Sequence, residues 1–296
     1  MTSERPGRDV ILTTLHRVSY EYAATFLNSL RHTGYGGEIV FFVSAMDEES
    51  IARLGRHRVQ VVRFTFSGKK IKQRLAGLWP VWRWIFKSGV ALETKEKLAH
   101  AVFHLFHRRH LLYLQFLRDH RQDYDRIFLT DARDVYFQAD PFSWNPGPGL
   151  HLFLEDAEIR ASPGNVRWIT SHFGPAAAEA MKGKFISCAG TVFGDRAGIM
   201  HYLSSMVTLT VGARSLREAA GDQGIQNYFL YQQPGPQTTV HDNRSGPVLT
   251  MGLTKPEALH FNAQGCLMNG EGRVAPVLHQ YDRVPEVEKT LLARLR

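Results

Sequence analysis

The sequence predicts an α/β protein: one domain built on a mostly parallel, doubly wound central sheet with helices on its faces. Three observations carry this. Apolar, strand-like runs at 9–15, 38–43 and 59–64 alternate with stretches of helical spacing. Strand, helix, strand, helix, strand at such short intervals predicts parallel pairing through crossover helices. Further on, the apolar run 127–129 ends at once in Asp131-Ala132-Arg133-Asp134, and open α/β sheets bind ligands beyond the carboxyl ends of their strands. Finally, 296 residues with 44% hydrophobic and 22% charged side chains are the length and composition of an ordinary globular chain.

The elements follow in order. Residues 9–15, DVILTTL, make a first strand, and its loop around Thr13, Thr14 and Arg17 falls at the ligand end of such a sheet. Tyr22, Ala23, Phe26, Leu27 and Leu30 recur at helical spacing, and Gly34, Gly36 and Gly37 end that helix. After the second strand, Asp47 caps a short helix ended by Gly55, and the third strand covers 59–64. A basic, aromatic stretch follows at 68–90, with lysines 69, 70, 72 and 87 interleaved with Trp79, Trp82, Trp84 and Phe86. Two readings fit it: an element lying on an anionic membrane surface, or an irregular excursion whose aromatics enter the core. Residues 93–120 read as one long helix. Its histidines, His100, His104, His107 and His110, read with Arg108 as a solvated basic face, the alternative being a metal pair at His104 and His107, one turn apart; Arg109 reads as a cation within reach of a diphosphate.

The stretch 123–142, DYDRIFLTDARDVYFQADPF, organises the rest. Two carboxylates closing a buried strand suit a hard divalent cation, which prefers oxygen ligands; the alternative is a turn, where Asp is frequent. On an extended chain Asp131 and Asp134 face opposite ways. They share an ion only if the strand stops at Asp131 and the chain turns, because a turn brings positions i and i+3 together. Next come a strand at 150–154 ending in Glu155 and Asp156, a helix over 165–181, and the strand FISCAGTVFG at 185–194. Gly190 there permits a ligand to approach the backbone or simply serves packing. Asp195 caps the helix 196–208. Asp222 and Gln223 open a helix to 231, where Asp222 is either a cap or a site carboxylate. His279 follows a late apolar run, 274–278, and a neutral imidazole there supplies a nitrogen ligand. A helix over 285–296 closes the chain.

Composition narrows the partners. Two cysteines exclude a disulfide framework and suit a reducing cytoplasm. The opening MTSERPGRDV has no apolar core of a secretory signal, and no stretch of 18 apolar residues predicts a membrane span. The expected location is therefore cytoplasmic, at most against the inner face of a membrane. A net charge of +8 and a pI near 9.6 favour an anionic partner. The chain shows no GxGxxG, no phosphate-loop motif and no recognised nucleic-acid-binding motif.

Taken together, these residues resemble the glycosyltransferases of the GT-A fold, especially the retaining family 8 type. DYDRIFLTDARDV is similar to the strand carrying that family's DxD motif, and FISCAGTVFG to its Asn-Xaa-Gly strand. Asp222-Gln223 resembles its Asp-Gln pair, and His279 its C-terminal metal-binding histidine. Arg109 fits the place of an arginine near the donor. The resemblance covers roughly residues 9–283. Two positions depart from the pattern: Arg133 stands where the family has its second Asp, so that either Asp134 takes that role or the metal is held differently, and Cys188 stands where Asn is usual.

The resemblance implies a metal-dependent transfer of sugar from a nucleotide-diphosphate sugar, UDP-linked in preference, to an acceptor hydroxyl, with retention. Mn²⁺ or Mg²⁺ would be held by Asp131, Asp134 and His279. The donor would contact Thr13, Thr14, Arg17, Arg109, Asp131, Arg133, Cys188 and Gly190. Asp222, Gln223 and Glu155 are the expected catalytic residues; an inverting enzyme would use Asp222 or Glu155 as base. Residues 9–142 would form the nucleotide half and 143–296 the acceptor half. The acceptor would be a bacterial envelope glycan or glycolipid, with membrane contact through 69–87. The rivals are a nucleotidyltransferase, which would show a glycine-rich loop after the first strand where TTLHRVSY has none, a basic nucleic-acid-binding protein, and a catalytically inactive, sugar-binding relative with an irregular metal motif.

Overall fold

The structure, a computed structural model, describes residues 8–66, 78–88, 92–121, 123–216, 218 and 221–295. Its first part is the expected alternation: β1 (Asp9–His16), α1 (Glu21–His32), β2 (Glu38–Ser44), α2 (Glu48–Gly55) and β3 (Val59–Arg63). The three strands pair in parallel, β1 to β2 and β2 to β3. Asp47 caps α2 as its position predicts, accepting from the Ser50 amide at 2.7 Å.

The stretch 93–120 is two helices rather than the predicted one. After α3 (Trp79–Lys87), α4 spans Leu92–Val102 and α5 Leu105–Asp119. The break falls at Phe103-His104, where His104 is extended at φ −65°, ψ 158°. Phe103 is fully buried there, its ring 6.0 Å from that of Phe86. The turn thus anchors a small separate core of α3, α4 and α5, and a straight helix would carry Phe103 away from it.

The chain then builds the centre of the sheet: β4 (Arg126–Thr130), the short β5 (Val135–Phe137) and β6 (Leu150–Glu158). Residues 165–181 also divide, into α6 (Pro163–Phe173) and α7 (Pro175–Met181). Gly174 sits between them at φ 96°; proline at 175 disfavours helical backbone at the residue before it. Next come β7 (Phe185–Asp195), α8 (Arg196–Gly212) and α9 (Asp222–Gln232). Asp195 caps α8, accepting from Gly198 N at 2.7 Å. The remainder is β8 (Thr238–His241), β9 (Val248–Thr250), a β10–β11 ribbon (His260–Phe261 and Leu267–Met268), β12 (Val277–His279) and α10 (Pro285–Ala293).

Among the described residues the main sheet has seven strands in the order β3-β2-β1-β4-β7-β6-β8. Only β7 runs against its neighbours. The period of two decides what each face buries. Val10, Leu12, Val40 and Phe42 point to one side and pack with Leu112 and Phe116 of α5 and Tyr202, Leu203 and Met206 of α8. Ile11, Leu15, Ile39 and Phe41 point to the other and meet Phe26, Leu27 and Leu30 of α1. Helices on both faces explain why these strands read as continuous apolar runs.

A second, three-stranded sheet, β5-β12-β9, packs Val135, Phe137, Val248 and Val277 into the same core as α1 and the first sheet. Its register places the late histidine: β12 pairs antiparallel with β5, His279 opposite Val135. No helix among the described residues is long and apolar enough to cross a membrane. Of the basic, aromatic stretch, residues 67–77, with Lys69, Lys70 and Lys72, lie outside the described residues. Its aromatics divide: Trp79 and Phe86 are buried, whereas Trp84 is 72% exposed.

Candidate functional site

Strand β4 stops at Thr130, the chain turns through 131–134, and β5 begins at Val135. This is the turn that the two aspartates require to face one point. Strand β7 lies alongside, with Thr191 opposite Thr130, and the Asp131 amide donates to the Gly190 carbonyl at 2.8 Å. On the other side the Gln280 amide donates to the Asp134 carbonyl at 2.6 Å. Gln280 adopts a left-handed φ of 60°, which turns the chain sharply just after His279. One ligand atom each from Asp131, Asp134 and His279 therefore lie within 4.8 Å of one another. His279 Nε2 is 3.7 Å from Asp134 Oδ1 and 3.9 Å from Asp131 Oδ2.

Three features of this cluster fit a divalent cation. His279 is buried, and its Nε2 has no hydrogen-bond partner, although it points at two carboxylates. Its other nitrogen, Nδ1, is engaged at 3.3 Å by Cys188 Sγ, so the ring is oriented from behind, as metal-binding histidines usually are. Gly190 keeps the front open: a Cβ there would lie 2.5 Å from His279 Nε2 and 2.8 Å from Asp131 Oδ2. Mixed carboxylate and imidazole donors suit Mn²⁺ and related ions.

Arg109 ties the cluster to the rest of the site. Its guanidinium donates to Asp131 Oδ1 at 2.6 Å, to Asp222 Oδ2 at 2.7 Å and to the Ala189 carbonyl at 2.9 Å. Burial alone would lower its pKa; the Asp222 and Asp131 carboxylates outweigh that and raise it, so the side chain stays charged. Asp222 is the first residue of α9 and uses its carboxylate on Arg109 rather than as a helix cap. Helix α9 is pinned to β7: Gln226 donates to Ser187 Oγ at 2.8 Å and to the Cys188 carbonyl at 2.7 Å, and Asn227 accepts from Ser187 N at 2.9 Å. That pinning fixes Asp222 and Gln223 opposite the metal-type cluster.

A cavity of about 320 Å³ joins these groups, within the size range of small-molecule sites. Arg109, Asp131, Arg133, Asp134, Cys188, Gly190, Asp222, Gln223 and His279 all line it, as does Thr14, which shares a 2.8 Å hydrogen bond with Tyr113. Arg133 lies beside the cluster as a cation, donating to Asp134 Oδ2 at 3.0 Å. Burial would raise the Asp134 carboxyl, but His279 and Arg133 outweigh it and hold its pKa below the usual range.

Three expected residues do not reach the cavity wall. Thr13 is fully buried and, by strand alternation, points with Ile11 to the opposite face of the sheet. Arg17 is exposed in a left-handed turn at φ 55°. Glu155 sits behind Gln223, whose side-chain amide donates to it at 3.1 Å; burial raises its pKa to about 7. The basic face expected on 93–120 is also corrected: His107, Arg108, Arg109 and His110 are all buried, because this stretch of α5 packs under α8 and beside the site.

The sequence did not single out Tyr22, Phe106, Trp168 and Arg283, which also line the wall. Arg283 carried a signal, a cation four places after the candidate ligand His279. Trp168 carried none, since one aromatic on an amphipathic helix is normally core. The chain matches no protein-family model and no curated protein.

Proposed function

We propose that the chain is a GT-A-type glycosyltransferase that moves a sugar from a nucleotide-diphosphate sugar, UDP-linked in preference, to an acceptor hydroxyl. One observation carries the reading. The charged groups lining the cavity are three carboxylates, Asp131, Asp134 and Asp222, and three guanidiniums, Arg109, Arg133 and Arg283. These six groups together carry no net charge. A divalent cation on Asp131, Asp134 and His279 adds two positive charges and makes the cavity complementary to a diphosphate.

Such a cation supplies charge to offset the leaving diphosphate as the glycosidic bond breaks. The chain's own residues do the rest. Arg109 holds Asp131 and Asp222 in fixed positions from below. Arg133 and Arg283 add cationic groups at the wall for phosphate oxygens. Gln223 and Asp222, on the rigid start of α9, position the sugar and the incoming hydroxyl. The transfer proceeds with retention: Asp222 is already paired with Arg109, and Glu155 is screened by Gln223, so neither stands ready as a base for direct displacement.

The acceptor is a glycan or glycolipid of a bacterial envelope, presented at the inner membrane face. That choice rests on the resemblance and the basic charge; lysines 69, 70 and 72, which motivated it, lie outside the described residues.

Incubation with UDP-glucose, UDP-galactose, UDP-N-acetylglucosamine and GDP-mannose, with Mn²⁺ or with EDTA, tests the reading through nucleotide release. Mn²⁺-dependent release from one donor, lost in Asp134→Ala, is the expected result. Release of pyrophosphate from a nucleoside triphosphate and a sugar phosphate would instead identify a nucleotidyltransferase.

A further inference from the structure

A second cavity, sharing no wall residue with the first, runs between α3, α4, α5 and α8. Its volume is about 300 Å³. Phe86, Ala99, Leu111, Leu114, Val207 and Val211 make its apolar walls, and two cations, Lys95 and Arg118, line it as well. The charges gather at one end. Helices α5 and α8 run antiparallel, since Arg196 at the start of α8 donates to the Leu117 and His120 carbonyls at the end of α5. Arg118 therefore lies toward the start of α8, and Leu111 toward its end, where Val207 and Val211 are. Lys95, early in α4, falls on the same side as Arg118, because α4 folds back along α5: His100, near the end of α4, lies 2.8 Å from the side chain of Gln115 in the later half of α5.

An apolar slot with cations at one end is complementary to an amphiphile with an anionic head. The adjoining surface fits the same partner. Beside the groove, α3 turns Leu78, Val81 and Trp84 to solvent at 53%, 54% and 72% exposure, while Trp79 and Phe86 anchor the helix in the core. Trp79 does so with a hydrogen bond from Nε1 to the Ala213 carbonyl at 2.7 Å. Tryptophan and aliphatic residues beside lysine and arginine are what an interfacial helix presents to lipid.

We propose that this groove takes an acyl chain of an anionic phospholipid, with the lipid phosphate against Lys95 and Arg118 and the exposed side of α3 seated in the headgroup layer. The site would hold the protein at a membrane surface whatever reaction the other cavity performs.

The test uses the full chain with phosphatidylglycerol and phosphatidylcholine vesicles, read by co-sedimentation and by quenching of tryptophan fluorescence with brominated acyl chains. Phosphatidylglycerol vesicles are expected to bind and quench, and phosphatidylcholine vesicles to do so weakly. Lys95→Glu and Arg118→Glu should each weaken binding by about fivefold or more. Thr208→Phe, which fills the groove from an exposed position on α8, should remove most of the quenching while its thermal melting stays that of the parent. Unchanged quenching in Thr208→Phe would mean that no chain enters the groove. Competition by millimolar inorganic phosphate equal to that by lipid would mean an anion site without a chain. Dimerisation through this face, without lipid binding, would assign it to a second copy. Each of these three results overturns the proposal.

Discussion

Gly190 of β7 and His279 of β12 are packed so closely that position 190 has no room for a side chain: a Cβ would fall 2.5 Å from His279 Nε2. The two residues belong to different sheets, and the absence of a side chain at 190 leaves the imidazole room beside Asp131 and Asp134. Gly190→Ala must push His279 or Asp131 aside. Mn²⁺ affinity should fall about tenfold or more, the usual scale for disturbing groups that orient a ligand, while the melting temperature changes little. Titration calorimetry with Mn²⁺ checks this, and an unchanged affinity would place the ion elsewhere.

Arg109 is the structural keystone of the site as well as part of its wall. Removing it leaves Asp222 buried without its cation. Arg109→Met should cost roughly 3–5 kcal/mol in urea unfolding, the range for breaking a buried ion pair from one side. Arg109→Lys should recover only part of this, because one ammonium does not span Asp131, Asp222 and the Ala189 carbonyl as a guanidinium fork does. If Asp222→Leu is added to Arg109→Met, the two costs should be less than additive.

Glu155 makes stability depend on pH in a predictable direction. Its folded pKa is raised by burial from 4.5 to about 7, so the folded state holds a proton that the unfolded state has lost. Stability from this group is fully present below pH 4.5, falls as pH rises toward 7, and is flat above. The gap is on the order of 3 kcal/mol. Glu155→Gln should therefore be more stable than the parent at pH 8 and close to it at pH 4.5. Equal pH profiles for the two proteins would contradict the burial argument.

His172 acts oppositely over the same window. Burial lowers its pKa from 6.5 to about 4, and both ring nitrogens lack partners. His107, 5.6 Å away ring to ring, is also held well below its ordinary value. Here the unfolded state binds the extra proton, so stability is lost as pH falls from 6.5 toward 4, by about 3 kcal/mol for His172 alone. His172→Phe should blunt that acid loss without altering the slope that Glu155 produces. Urea midpoints at pH 4.5, 6 and 8 separate the two.

Much of this was legible in the chain. The first three strands, both Asp caps and the turn that brings Asp131 and Asp134 together follow from local pattern, because period, capping and turn chemistry are local properties. Local pattern fails where tertiary packing decides. The apolar spacing over 93–120 runs unbroken through Phe103-His104, yet packing of Phe103 against Phe86 turns the chain there. His107 and His110 look like a solvated face because neither carries a sign of the helix α8 above them. Thr13 and Thr14 are neighbours in sequence, and only the pleat assigns one to the core and the other to the cavity. His279 could be named as a ligand by resemblance, but its aim depends on β12 pairing with β5, a contact across more than 140 residues that no local signal encodes.

Calorimetric titration with UDP, and then GDP, in Mn²⁺ and in EDTA tests most directly whether Asp131, Asp134 and His279 bind a nucleotide through a metal. Tight binding of one nucleotide in Mn²⁺, its loss in EDTA, and its weakening in both Asp134→Ala and His279→Ala are the expected results. Binding that is equal in EDTA, or absent for every nucleotide tried, would contradict that binding mode and leave the Asp131–Asp134 turn a structural feature alone.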